Sequence, residues 1–347
     1  MLSGIIQGGT KALGGSRFSL VNLLPSAFFV TFTITLIASG AYTRPKPSLT
    51  TILDKLGKEP GLAIVATFGI FLLAVLLRPF QVAIVQFLEG YWRRWGPLDF
   101  ASDVATERHR RIRDTADRIS RALEPDQLSA ITLADAANYA RERHAFNRLV
   151  TQATVTMDRY PADESLMPTL LGNILRDGED NAGGRYGLDM NVVYPRMYPL
   201  LSPKLDKAIS TQLDMLDTTS ALCVAFALSA LVSFPLIARL DWWSLVPVTA
   251  VLMSVLAYRG AIATAQGHST LLATAFDLHR FDMLQALHYE LPPTPISELA
   301  LNRQLSDFLG TPHGDVRSMG KFRYGHPPSV ADSIGRLAKP DGTGSKP

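Results

Sequence analysis

TTSALCVAFALSALVSFPLIA, residues 218–238, and WWSLVPVTAVLMSVLAY, residues 242–258, contain no charged side chain and are separated only by Arg239-Leu240-Asp241. An apolar run of roughly 17–25 residues is long enough to cross about 30 Å of hydrocarbon as a helix. In lipid the backbone must satisfy its own polar groups, which favours helices in such runs. The three-residue link predicts a tight antiparallel helical hairpin, with Trp242 and Trp243 suited to a water–lipid interface.

Two further uncharged runs lie upstream, Phe18–Thr43 and Gly61–Leu77. Together the four predict an all-α membrane protein: four transmembrane helices in two hairpins, with a cytoplasmic helical domain built on long extensions of spans three and four. The domains expected are a tail at 1–17, the first hairpin with an amphipathic extension at 18–92, and a cytoplasmic helical domain at 93–217. The second hairpin follows at 218–258, a cytoplasmic extension and packing helix at 259–310, and a disordered tail at 311–347. That tail is rich in Gly, Pro and Ser and poor in apolar residues. A signal-peptide core runs about 7–15 residues. Phe18–Thr43 is far longer, so a retained span is expected in spite of the Ala38-Ser39-Gly40-Ala41 cleavage-like stretch.

The totals agree with this frame. Of 347 residues, 47% are hydrophobic and 19% charged, against the roughly 25% charge of an ordinary globular chain. The deficit sits in the four runs. A net charge of +3 is too small and scattered for nucleic-acid binding. Lys11, Arg17, Arg93, Arg94, Lys204, Lys207 and Arg259 flank one side of the runs, and Arg44, Lys46, Lys55, Lys58 and Arg239 the other. The positive-inside bias therefore places both termini and the large middle segment in the cytoplasm, with the chain multi-pass in the plasma membrane. The one cysteine, Cys223, allows no internal disulfide or cysteine metal cluster.

The middle segment reads as helices. Phe100, Val104, Ile112, Ile119 and Leu123 recur at helical multiples and form a narrow apolar stripe. A second helix is expected from about Thr132 to Met157, and a third from Pro168 to the Gly183-Gly184 stop. A shorter helix follows Asp189, interrupted by Pro195 and Pro199. Ser202-Pro203 opens a helix that enters the third run without a breaker, and the fourth run continues past Arg259 towards Pro292-Pro293. Thr294-Pro295 opens a last helix that Gly310 closes. Ala261, Ala265, Gly260 and Gly267 permit close approach of a neighbouring helix.

Polar residues near the second run invite two readings. Arg78, Gln81, Gln86 and Glu89 share one helical side, opposite Phe80, Ala83, Ile84 and Phe87. They form either a pore- or cavity-lining face or the polar face of an interfacial helix with Arg78 snorkelling. Asn173, Arg176, Arg185, Tyr186 and Arg196 likewise allow two readings. They make a basic pocket for an anionic ligand, or they serve a structural knot in which Gly172 admits a crossing helix and the arginines pair with Glu179, Asp180 and Asp189. Asp177, Glu179 and Asn181 hint at a calcium loop, but Ala182 and Leu188 stand where such a loop needs Gly and Glu.

Enzyme signatures are missing: no His-Glu-x-x-His, no Gly-Lys-Ser/Thr phosphate loop and no Gly-x-Ser-x-Gly elbow. Asp277, His279, Arg280 and Asp282 cluster on one helix as either an acid–base group or a charged face. Catalysis, a metal site and a cofactor are not expected.

Several stretches carry a resemblance. They are Pro168-Thr169-Leu170-Leu171-Gly172-Asn173-Ile174-Leu175-Arg176, Arg185-Tyr186-Gly187-Leu188-Asp189, Tyr194-Pro195-Arg196-Met197-Tyr198-Pro199, Phe87-Leu88-Glu89-Gly90-Tyr91-Trp92 and Phe276-Asp277-Leu278-His279-Arg280-Phe281. In them the chain resembles a group of uncharacterised actinobacterial multi-span membrane proteins, over most of its length. The resemblance implies architecture and origin, and brings no activity or functional residue. Taken together, the sequence predicts a membrane-anchored sensing or interaction protein in a lipid bilayer, with a cytoplasmic protein partner or anionic ligand. The alternative is a homo-oligomeric ion-conducting pore or effector gated by its cytoplasmic domain.

Overall fold

A computed structural model describes residues 24–44, 47–48, 60–77, 80–92, 96, 98–121, 147–148, 150–311 and 323–325. Among the described residues there is no β-sheet, only one isolated bridge, Tyr289 to Tyr324. The helices are α1 Leu24–Ala38, α2 Pro60–Leu77, α3 Gln81–Glu89, α4 Asp99–Arg121, α5 Leu170–Gly184, α6 Met190–Met197, α7 Pro203–Ser233, α8 Leu245–Ala286 and α9 Pro295–Gly310. Residues 150–157 are also helical.

The expected four spans are corrected here. Among the described residues, two helical stretches are long and apolar enough to cross a membrane, 203–239 and 242–286. Among the described residues the first apolar run holds the 15-residue α1. At 1.5 Å per residue that is about 22 Å, short of the hydrocarbon thickness. It ends because Gly40, at φ 70°, turns the chain back so that the Arg44 N–H donates to the Gly40 carbonyl at 2.9 Å. Only 33% and 17% of the apolar windows in the two long stretches are buried. Length and apolarity alone do not establish a membrane span. The four-span, two-hairpin membrane architecture therefore does not stand. With it fall the multi-pass plasma-membrane placement, the lipid-bilayer partner, and the membrane-anchored sensor and gated-pore functions built on them. The homo-oligomer and cytoplasmic-partner expectations lose the same basis.

The chain divides into two compact units, residues 1–179 with 207–272, and residues 180–206 with 273–347. In the first unit α1 packs on α2. Leu36 and Ala41 meet Leu236 in a small apolar cluster. The turn after α7 is set by proline. Pro235 cannot supply a helical N–H, so α7 ends at Ser233 and residues 234–239 tighten into a 3₁₀ turn. Arg239 then donates to the carbonyls of Ala41 and Arg44, both at 3.0 Å, and pairs with Asp241 at 2.9 Å. Pro247 lies in the first turn of α8, where its missing N–H costs nothing. Between α7 and α8 the buried Cys223 Sγ lies 3.5 Å from Ser254 Oγ, and that hydroxyl donates to the Cys223 carbonyl at 3.0 Å.

The main core of this unit joins Leu171 and Ile174 of α5, Leu216 of α7, and Ala261 and Ala265 of α8. Two glycines permit the crossings. A Cβ on Gly172 would lie 2.0 Å from the Glu89 carbonyl oxygen, and one on Gly178 would lie 2.1 Å from Ser269 Oγ. Apolar α4 residues expected to be buried are exposed among the described residues: Phe100 at 79% and Val104 at 54%. The inward side of α4 is polar instead. His109 Nδ1 meets the Tyr160 hydroxyl at 2.8 Å, and Arg110 reaches Asp163 at 3.1 Å.

The second unit packs α6 on α9 and buries Phe276, Met283 and Leu284 of α8. Asp189 caps α6 by accepting from the Asn191 N–H at 2.9 Å. Thr294 and Ser297 form a reciprocal capping box at the start of α9. Of the expected tail at 311–347, only 311 and 323–325 lie within the described residues. The Glu290 N–H donates to the Arg323 carbonyl and the Gly325 N–H to that of His288.

Candidate functional site

Four helices of the first unit converge on a cavity of about 310 Å³. Its polar lining is acidic: Glu89 from α3, Glu179 from α5 and Asp217 from α7, with His268 and Ser269 from α8. Val82, Leu175, Leu213, Leu216 and Leu272 supply apolar walls. Among the described residues neither lysine nor arginine lines it. Arg176 does reach Glu179, at 3.6 Å on the partly exposed side of α5.

The start of α5 fixes Glu89. Gly90 ends α3 at φ 100° and donates to the Gln86 and Phe87 carbonyls, a left-handed stop natural to glycine. The Glu89 carbonyl then accepts from the Thr169 hydroxyl at 2.8 Å, while Thr169 Oγ1 accepts from the Gly172 N–H at 3.0 Å. One threonine thus caps α5 and ties it to the last turn of α3. Asn173, fully buried, completes the joint. Its Oδ1 accepts from the Met167 N–H, and its Nδ2 donates to the Met167 and Thr169 carbonyls, all at 2.8 Å.

Burial, with the nearby Glu179 charge adding to it, pushes the Glu89 carboxyl up to about 7. Burial holds the His268 imidazole below its ordinary value. Around neutral pH, then, Glu89 exchanges a proton while His268 is neutral. His268 Nδ1 is buried without a hydrogen-bond partner, which is costly for a polar atom. Among the described residues no three His, Cys, Asp or Glu side chains stand close enough to hold a metal ion. The arrangement can therefore trade a proton, and it can hold positive charge spread over an organic body.

The residues singled out from sequence fall in different places. Gln86 and Glu89 line the cavity. Gln81 lies on the same helix, and Arg78 is outside the described residues. Of the five residues read from sequence as an anionic-ligand pocket, Asn173 and Arg176 fall in the first unit and Arg185, Tyr186 and Arg196 in the second. Asn173 is the joint just described, and Arg176 pairs with Glu179. Arg196 donates to the Val192 carbonyl of its own helix at 2.5 Å. In the second unit Arg185 stands 3.9 Å from Asp277, which also accepts from the Tyr186 hydroxyl at 2.5 Å. Arg280 stacks 4.0 Å over the Tyr186 ring and pairs with Glu298 at 2.7 Å. His279 pairs with Asp282 at 2.8 Å. Asp177, Glu179 and Asn181 lie within helix α5, so no calcium loop forms there.

Sequence reading missed Asp217 and His268. The signal for His268 was a lone imidazole in the small-residue stretch Ala261–Gly267, where a helix packs closely and side chains beside it are screened from water. No protein-family model, curated protein or solved structure matches the chain, so the resemblance to actinobacterial four-span membrane proteins is withdrawn, and the chain is assigned to no family.

Proposed function

We propose that the chain is a non-catalytic helical binding protein whose first unit holds a small organic cation, such as a protonated aliphatic amine. One observation carries this reading: Glu89, Glu179 and Asp217 face a single apolar-walled cavity whose described lining has no basic residue but the imidazole. A cation with an aliphatic body satisfies both halves of that lining, since carboxylates in a low-dielectric pocket attract an ammonium strongly and the leucines cover its carbons. The absence of nucleophile–base and phosphate-loop patterns supports binding over catalysis.

Calorimetric titration of the full chain with hexylammonium and with hexanoate tests the proposal. The amine should bind more tightly at pH 8 than at pH 6, because Glu89 is charged at the higher pH. Glu89→Gln should weaken binding about tenfold, the loss of one charged hydrogen bond. No binding by the amine, or equal binding of the acid, overturns it.

A further inference from the structure

We infer that a second cavity of the first unit binds a small neutral polyol through hydroxyls on adjacent carbons. This cavity, of about 240 Å³, is lined from the end of α3, from α4 and from residues 163–168. It shares only Tyr91 with the acidic cavity, so the two sites stand or fall separately. Its volume is below the roughly 300–1,000 Å³ of drug-sized sites, which calls for a small ligand. Arg110 and Asp163 line it, and their side chains are 40% and 56% exposed, within reach of a ligand. They pair through Nε and Oδ1 at 3.1 Å. Arg110 Nη1 goes to Glu107 at 2.9 Å, and Arg113 reaches the same Asp163 oxygen at 3.4 Å. The pair therefore keeps Arg110 Nη2 and Asp163 Oδ2 without a hydrogen-bond partner among the described residues. Two hydroxyls on adjacent carbons suit such a pair, one accepting from the guanidinium and the other donating to the carboxylate, because a hydroxyl does both. An ion suits it less: an anion meets Asp163 and Glu164, and a cation meets Arg110. The Thr106 hydroxyl donates to the Ser102 carbonyl at 2.8 Å, which leaves its oxygen to accept from a further hydroxyl. Tyr91 and Met167 supply apolar surface for the ligand's carbons.

Saturation-transfer NMR on the full chain compares cyclohexanediol bearing its hydroxyls on adjacent carbons with the isomer bearing them on opposite carbons of the ring. The two differ only in hydroxyl spacing, so apolar contact is held constant. The wild type should bind the adjacent isomer about tenfold more tightly, as one charge-assisted hydrogen bond would give. Arg110→Met and Asp163→Ala should each abolish that preference, with circular dichroism checking that the helices remain. If either variant unfolds, the wild-type comparison still decides. Saturating hexylammonium should leave the diol bound, because it occupies the other cavity. Equal binding of the isomers by the wild type, no binding of either, or a preference that survives in folded Arg110→Met overturns the polyol site. Displacement of the diol by hexylammonium places it in the acidic cavity and overturns the site as well. Isomer-selective diol binding without any hexylammonium binding upholds the polyol site and overturns only the cation reading.

Discussion

The two units handle buried charge in opposite ways. In the second, Arg280 is held by Glu298 on one side and by the Tyr186 ring on the other, and Tyr186 in turn donates to Asp277. That network is closed within the protein, and it joins the turn after α5 to α8 and α9. In the first unit three carboxyl groups and an imidazole line a cavity, and burial there shows in the raised proton affinity of Glu89.

The contrast should be sharpest where the closed network is cut. Arg280→Met leaves Glu298 buried with no countercharge, and should cost about 3–5 kcal/mol in urea unfolding. Replacing both, with Glu298→Gln added, should recover most of that loss. If the single variant costs under about 1 kcal/mol, the network is no more than a surface pair.

In the first unit, Glu89→Gln should act with the other sign. Glu89 titrates near 4.5 when unfolded and about 7 when folded. Its neutral form is favoured by folding, so stability is full below pH 4.5 and is lost as pH rises towards 7. At about 1.4 kcal/mol per pH unit the loss amounts to roughly 3 kcal/mol. The variant should match wild type at pH 4 and exceed it by up to that amount at pH 8. Burial of His268 works on the acid side: its folded value is depressed, so stability is lost as pH falls below 6.5. A Glu89→Gln profile that remained as steep as wild type between pH 5 and 8 would remove the carboxyl from its assigned place.

Smaller effects separate scaffold from site. Asn173→Ala strips three hydrogen bonds from the Met167–Thr169 joint and should cost about 2 kcal/mol. It should also speed amide exchange at Met167. Unchanged exchange there would show that water replaces the side chain. Thr294→Ala removes the α9 cap and should cost about 1 kcal/mol, with faster exchange confined to residues 296–298.

Local punctuation made much of the helical layout readable. Asp189 caps α6, Pro203 opens α7 and Thr294-Pro295 opens α9 much as their chemistry requires, whereas α5 includes Gly183 and Gly184 and the left-handed turn falls at Gly187. Apolar composition was the weaker guide. A run such as Phe18–Thr43 says that water is avoided, and Gly40 decides where the helix stops. Glu89 was noticed because it lies on the polar side of a short amphipathic helix. Its companions Glu179, Asp217 and His268 come from three other helices, and no spacing along the chain announces such a meeting. Asn173 and Arg176 drew attention as polar residues in an unusual segment. Asn173 holds the turn into α5 at Met167 and Thr169, because a buried backbone turn needs partners as much as a ligand does.

The thiol between α7 and α8 gives the molecule an internal gauge. Cys223 is the chain's single cysteine, and burial raises its proton affinity, so alkylating reagents should reach it only when those helices part. Its labelling rate, followed by intact mass, would report the opening of that seam without any engineered probe, and any ligand that braces the first unit should slow the clock.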